Sequence, residues 1–486
     1  MTVFHIANPI DSKLNGHSTA LTTELPRNLP SEWSFALLDQ GGRRNEVTMQ
    51  LFVYGAGYLG TVLSACLADF GTPIVCCDSA DSKILNLTQG HIAFYEKNLE
   101  EIIRRNVRAG RLTYSTEIEL QAARSKAIYL AQDDPNETEA IALRLAQVAA
   151  PGTLLLICTP TPVGTATRIT RKLCALGYDL PVVAHPLSLT EGCAVEDFNW
   201  PDRLLFGTNN PQAIGTLKII YRPVVLRGTP VIVTNAETAE LVREAATAFI
   251  ATKISFINEM AELCEHVNAD ALDLSLALGL DKRIAPRCLQ AGVGLGGNFV
   301  ESDIASLTAL AQRKGVELQM LSAAQAVSRQ HAERTMRKIA EVMPTLRDKR
   351  VGLLGLAVKP HTSSVAGSSS VALARQLVES GAVVRAYDPF AMMHAARELE
   401  EVVSLCDSAY MAAEGVDALI LATGWPEFRS LDFVRMKTLL RRPLIVDTKN
   451  LLDCERLRCM GFEYMGIGRM PAHSFGAEAM VMKGTA

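Results

Sequence analysis

The sequence predicts an α/β protein: two doubly wound parallel sheets joined by a long central helix and a helical region. Three observations carry this. Residues 49 to about 207 alternate short apolar runs with helical stretches, residues from about 236 to 337 read as helix alone, and from about Lys349 the alternation resumes. Strands alternating with helices imply parallel pairing with both faces of the sheet covered. At 486 residues the chain is too long for one core. The expected divisions are a leader over 1–48, a first α/β domain over 49–235, a helical domain over 236–337 and a second α/β domain over 338–486.

The leader is rich in Ser, Thr, Asn and Pro and reads as disordered or loosely docked. The organising stretch follows it. An apolar run (Leu51–Tyr54) enters Gly55-Ala56-Gly57-Tyr58-Leu59-Gly60; then come apolar positions at helical spacing (Val62, Ala65, Cys66, Ala68) and a second apolar run, Ile74–Cys77, ending on Asp78. Strand, glycine turn, helix, strand and acid make a Rossmann-like dinucleotide fingerprint. Gly55 permits the tight turn, Gly57 lets a pyrophosphate approach the backbone, and Gly60 lets helix and sheet pack closely. Asp78 stands where a carboxylate accepts from ribose hydroxyls and repels a 2′-phosphate, which favours NAD over NADP. Tyr58, Leu59 and Lys83 complete the expected cofactor contacts.

Further on, Lys126–Leu130, Thr153–Ile157 and Pro181–Val183 read as strands and Glu137–Ala149 as a helix. Ala239–Val267 is apolar at i, i+3 and i+4 without Gly or Pro, which is a long helix; Ala271–Leu278 and Ala305–Arg313 continue the pattern. Such a middle spaces domains or carries a dimer interface. Val351–Leu356, Val383–Asp388, Ala418–Ala422 and Leu444–Asp447 are the strands of the second sheet. Its first turn, Gly355-Leu356-Ala357-Val358-Lys359-Pro360, lacks the three glycines. Lys359 there suits a phosphate-bearing ligand, or is a solvated surface lysine.

Composition excludes several classes. The chain is 48% hydrophobic and 21% charged, with a net charge of −4 and no long basic run, so a nucleic-acid partner is not expected. No apolar run reaches the ~18 residues of a membrane span, and no secretory signal is visible. The 11 cysteines show no metal-ligand spacing. They read as reduced, largely buried thiols of a cytoplasmic protein without a metal.

Taken together, GAGYLG (55–60), YEKNLEE (95–101), PVGT (162–165), EGCAVEDFNWPDR (191–203), ATKISFINE (251–259), LGLDKRIAP (278–286), GVGLGG (292–297), GLAVKP (355–360), AYDP (386–389), WPEFRSLD (425–432) and GIGR (466–469) resemble the UDP-glucose/GDP-mannose dehydrogenases over nearly all of the chain after the leader. The resemblance implies an NAD-binding domain, a central dimerisation region forming a homodimer, and a C-terminal domain for a UDP sugar. It also implies oxidation of a sugar alcohol to a carboxylate by two hydride transfers to NAD. UDP-glucose is the default substrate; GDP-mannose or an N-acetylated UDP sugar remains open.

Residue by residue, the resemblance also marks departures. The family's thioester-forming cysteine, in G-x-G-x-G-G-S-C-F-P-K-D, corresponds to Phe299, and a phenyl ring forms no thioester. The family's K-x-x-x-N pair corresponds to Arg243 and Thr247, the glutamate of its N-P-E-F-L to Leu187, and its G-T-P loop to Ala131-Gln132-Asp133-Asp134. The aspartate and arginine after its K-P motif correspond to Ser363 or Ser364 and to Ala366. Asp303, Arg283, Lys359 and Glu191 match retained positions, and Gly296 lies in the retained glycine segment. Asp303, Arg243 and Glu191 are therefore the residual catalytic candidates, with Glu191 reading equally as a helix-start carboxylate. Arg283, Lys359 and Gly296 are the substrate-side candidates. Cys288 and Cys193 lie near enough in sequence to raise rescue of the nucleophile, though a scattered buried thiol is the commoner case. Three readings stay open: a working NAD-dependent dehydrogenase, an NAD-binding pseudoenzyme serving an active partner, and a structural dimer with decayed sites.

Overall fold

Every residue of the Leu51–Tyr54 run is buried, and successive side chains go to opposite faces of a sheet. Leu51 and Val53 pack with Cys76, Tyr129, Leu154 and Leu156; Phe52 and Tyr54 pack with Val75, Cys77, Ile128 and Leu155. The strands read as continuous apolar runs because helices cover both faces. Each large side chain so buried contributes about 1.5–3 kcal/mol.

The computed structural model describes residues 2–4, 49–292, 296–399 and 402–469. It divides into two units, 1–243 and 244–486. Among the described residues, the first unit holds β1 (Thr2–Phe4), β2 (Leu51–Tyr54), β3 (Ile74–Cys77), β4 (Leu112–Ser115), β5 (Ala127–Leu130), β6 (Leu154–Ile157), β7 (Val182–Ala184), β8 (Leu204–Gly207) and β9 (Val231–Thr234). They form one sheet in the order β1-β9-β8-β7-β6-β5-β2-β3-β4. The chain direction of growth reverses between β2 and β5, so a crevice opens at their carboxyl ends.

Two features differ from the all-parallel sheet that the sequence suggests. β8 runs antiparallel to β7, and the stretch between them carries only the short Ala194–Asn199 helix, so the chain folds back rather than crossing over. β1 pairs antiparallel with β9 and gives that edge a backbone partner. Residues 2–4 of the leader are thus a strand; residues 5–48 lie outside the described residues.

The long helix runs from Ala236 to Val267, three residues earlier than the apolar spacing suggests, and the division between the units falls inside it. The second unit continues with helices Ala271–Leu280, Asn298–Arg313 and Gln319–Val342; the last of these runs beyond residue 337. Its sheet consists of β10 (Arg350–Leu354), β11 (Val383–Tyr387), β12 (Ser404–Leu405), β13 (Ala418–Leu421), β14 (Leu444–Asp447) and β15 (Glu463–Gly466). The order is β12-β11-β10-β13-β14-β15 and every pair is parallel. This repeats the order of the first unit, with its own crevice beyond β10 and β13.

Gly468 of the GIGR segment shows how tightly that sheet is tied to the central helices. A Cβ there would lie 2.6 Å from Ala271 Cβ and 2.7 Å from Ala261 Cβ. Arg469 Nε adds a 3.0 Å bond to Asp270 of the neighbouring helix start.

Candidate functional site

The glycine turn has the geometry its sequence demands. Gly55 has φ +103°, and a Cβ there would lie 2.6–2.7 Å from the Ala131 and Gln132 backbone. A Cβ on Gly60 would lie 1.8 Å from the Gly55 carbonyl oxygen. The Tyr58–Asp69 helix starts from Gly57, which has no side chain of its own to cap it. Its first amides, at Tyr58 and Leu59, therefore face the crevice as an anion-binding end.

Asp78 sits at the end of β3 with its carboxylate mostly buried. It accepts from Ala56 N at 2.8 Å and Ala80 N at 2.9 Å, which fixes the acid beside the turn. Lys83 Nζ stands 3.7 Å from Asp78 Oδ2 and 3.1 Å from Asp133 Oδ2. Burial works to lower the Lys83 ammonium, but the bond to Asp133 and the charges of Asp133 and Asp78 prevail and raise it. Asp133 belongs to the replaced loop. Its Oδ1 lies 1.9 Å from where a Cβ on Gly57 would be.

Tyr58 connects the turn to the segment that holds Glu191. Its hydroxyl donates to Glu96 Oε2 at 2.6 Å, and Gly192 N donates to the same oxygen at 2.7 Å. Burial raises the Glu96 carboxyl against the hydrogen bonds of Tyr58 and of the Gly192, Val195 and Ala194 amides. Sequence reasoning quoted Glu96 only as part of a motif; its role is legible once Tyr58 and Gly192 are seen to converge on it. Leu187 packs against the apolar core on the same side of the sheet.

Glu240, on the long helix, was not foreseen at all. It accepts from Gly164 N at 2.6 Å and Ala166 N at 2.9 Å, capping the PVGT turn and the Thr165–Ala175 helix. Burial raises its carboxyl, and the Ala166 and Gly164 amides oppose that. Arg243 lies one turn further along, half-buried.

In the second unit, Thr247 Oγ1 donates to the buried Asp303 at 2.9 Å. The structure thus brings Thr247 and the sequence candidate Asp303 together across two helices. Phe299 lies in the first turn of the Asn298–Arg313 helix. Just before it, Gly297 N donates to Gly367 O at 3.0 Å, and a Cβ on Gly296 would lie 3.2 Å from Ser369 Oγ. Gly296 and Gly297 therefore rest on the chain that follows Lys359. Asn258 Oδ1 accepts from Gly292 N at 3.0 Å, and Lys253 Nζ donates to the carbonyls of Ile284, Ala285 and Arg287. Arg283 is not brought to any of these groups. It is 88% exposed and forks onto its neighbour Asp281. Cys288 is half-buried at φ +65°.

Lys359 is half-buried in the loop beyond β10. A second lysine, Lys449, stands beyond β14 and was missed by sequence reasoning, although its position just past a strand end is the same kind of signal. Burial lowers its ammonium to about 8, with Asp447 opposing. A Cβ on Gly292 would lie 3.3 Å from Lys449 Nζ. Asp388, the acid after β11, looks like the counterpart of Asp78 but is saturated. It takes the amides of Leu356, Ala357, Phe390 and Ala391 and the Trp425 Nε1–H, and it is fully buried.

Residues 49–225 match the NAD-binding domain of the UDP-glucose/GDP-mannose dehydrogenase family, residues 237–330 its central domain and residues 352–454 its UDP-binding domain. A UDP-glucose 6-dehydrogenase of Rhizobium meliloti is 35% identical over 436 residues, covering 87% of this chain and 100% of the relative. The chain belongs to the UDP-glucose/GDP-mannose dehydrogenase family. The UDP-glucose 6-dehydrogenase TuaD of Bacillus subtilis is 34% identical over 86% of this chain and 93% of its own length. A UDP-glucose dehydrogenase of Pyrobaculum islandicum has a similar structure, with a TM-score of 0.78 and 29% identity over 90% of this chain and all of its own.

The glycine turn and Asp78 fit the cofactor of an NAD-binding domain: a tight turn, an uncapped helix start, and an acid positioned for ribose hydroxyls. The second unit carries the family's UDP-binding domain over residues 352–454. Among the described residues there is no cluster of His, Cys, Asp and Glu suited to a metal. No described helix is long and apolar enough to cross a membrane.

Proposed function

We propose that this protein binds NAD and a UDP sugar, by default UDP-glucose, as a homodimer, and does not complete the oxidation to the acid. Bound NAD would accept hydride; what this chain lacks is the thiol that holds the aldehyde for the second transfer. Phenylalanine at position 299 carries this reading. The surrounding replacements support it. Arg243 stands where the resemblance puts a lysine, Thr247 offers one hydroxyl that is already bonded to Asp303, and Leu187 joins the apolar core where a carboxylate would handle water. Losing one oxyanion donor costs ~10²–10³ in rate, and losing the nucleophile costs more.

The dimer is supported by the long helix. Phe249, Phe256 and Leu263 are 67%, 47% and 52% exposed and recur every seventh residue, a stripe suited to a second copy. The eleven cysteines are free thiols, which suits a reducing compartment such as the cytoplasm.

Incubation with NAD and UDP-glucose tests the reading. The expected result is no growth of NADH absorbance and a melting temperature raised by NAD, as a ligand selective for the folded state requires. Release of UDP-glucuronate with NADH would overturn it.

A further inference from the structure

We propose that Asp133 is a displaceable occupant of the phosphate face of Gly57, so that a dinucleotide binds only after the Asp133–Lys83 pair opens. The proposal rests on the reading that the first unit binds NAD and assigns to one residue of this chain the control of its affinity.

The geometry is direct. A glycine at the middle position of the turn leaves its Cβ direction empty so that a pyrophosphate can approach the backbone. Here that direction is filled by a carboxylate: Asp133 Oδ1, Cγ and Oδ2 lie 1.9, 2.5 and 2.6 Å from where the Cβ would be. The occupant carries the same charge as the phosphate it displaces. Its hydrogen bond among the described residues is with Lys83 Nζ, 3.1 Å from Oδ2, and not with the turn's amides. The amides thus remain available while the approach to them is covered.

Lys83 is the latch. Its Nζ bonds to Asp133 Oδ2 at 3.1 Å and stands 3.7 Å from Asp78 Oδ2, so one ammonium spans the phosphate and ribose ends of the site. The pair is built to open. The Asp133 side chain is 62% exposed and that of Lys83 44%, and an ion pair at such exposure contributes little to stability. Asp133 is followed by Asp134, whose own carboxylate accepts from Asn136 N at 2.8 Å and starts the 135–137 turn, so the backbone behind Asp133 is fixed while its side chain can swing. Swinging it away uncovers Gly57 and releases Lys83.

The experiment compares wild type, D133N and D133S by calorimetric titration with ADP-ribose and with adenosine. D133N keeps the shape and removes the charge; D133S removes both. D133S is expected to bind ADP-ribose at least about fivefold tighter than wild type, the scale of one like charge removed at ~4 Å in a water-like dielectric. D133N should fall between them. Adenosine has no phosphate, so its affinity should be equal in all three proteins. Equal or weaker ADP-ribose binding by D133S, or a parallel gain for adenosine, would overturn the proposal. If none of the three proteins binds ADP-ribose, the NAD reading of the unit fails instead. Asp133 is exposed, and either variant alone suffices as the test if the other fails to fold.

Discussion

Thr247 and Asp303 meet at 2.9 Å across two helices of the second unit, the hydroxyl of one donating to the buried carboxylate of the other. One is a replaced position of the family and the other a retained one. Asp303 is thus engaged as a structural acceptor. T247V removes the donor while keeping the volume, and is expected to cost about 1–3 kcal/mol, the cost of weakening the bonding of a buried carboxylate. D303N keeps an acceptor for the hydroxyl and should cost less. Melting temperatures of the two variants check the order, and a smaller loss for T247V would count against it.

His185 gives the first unit an acid-sensitive element. Its ring is 1% exposed, with Nδ1 2.9 Å from Leu205 O and Nε2 2.8 Å from the Tyr221 hydroxyl. The neutral ring, donating through Nδ1 and accepting at Nε2, satisfies both. Burial lowers it to about 4, against the bond to Leu205 O. The unfolded value is about 6.5, so the folded state disfavours the proton. The contribution is present above about 6.5 and is lost as pH falls toward 4, by ~3 kcal/mol at most. H185F should be less stable at neutral pH and should flatten this part of the acid limb. Unfolding free energies of both proteins across that window read the difference; parallel curves would refute it.

Much of this architecture is legible in the chain because fully buried strands must be apolar throughout. Leu51–Tyr54, Leu154–Ile157 and Leu444–Asp447 announce themselves in this way. β4 does not, because at the sheet edge Thr113 is exposed and Tyr114 and Ser115 are only partly covered. The Asn298–Arg313 helix begins before its apolar spacing does, since its first turn carries Asn298, Glu301 and Ser302. The cofactor turn could be read from spacing alone, as each glycine answers a local steric demand. Glu240 and Glu96 could not, because their roles depend on partners far away in sequence, Gly164 and Tyr58.

The two acids that end strands in the paired units separate ligand binding from folding. Asp78 accepts from two amides, whereas Asp388 accepts from four amides and Trp425. D78A should weaken NAD binding about 10- to 100-fold, as the loss of a charged hydrogen-bonding partner to ribose implies. D388A should instead strand several buried donors and cost more than about 3 kcal/mol, leaving NAD affinity near wild type in whatever folds. Titration with NAD and thermal melts of both variants test the contrast. A D388A protein that is stable but blind to NAD would reverse the assignment.

Phe256 lies at the middle of the exposed stripe, with Phe249 and Leu263 seven residues to either side. An acid there faces a second acid across a two-fold axis and desolvates both. F256D is expected to be monomeric at concentrations where wild type is dimeric, with its thermal response to NAD retained. Light scattering after gel filtration decides this; an unchanged mass would place the interface elsewhere.

Restoring the thiol alone should not restore the acid-forming reaction. On the proposed reading F299C supplies a nucleophile, but Arg243 and Thr247 still replace the family's oxyanion-donating lysine and asparagine, and Leu187 still packs in the core. With each missing donor worth ~10²–10³ in rate, F299C is expected to yield no measurable UDP-glucuronate. Adding R243K and T247N should return the first detectable turnover, because both changes fall on one helix and keep its register. L187E is the costly addition. It places a carboxylate against apolar neighbours, so it should raise hydrolysis only with a loss of stability. Product chromatography after prolonged incubation measures the series. Robust turnover by F299C alone would show that Arg243 and Thr247 already perform the family's oxyanion work, and that Phe299 is the one barrier.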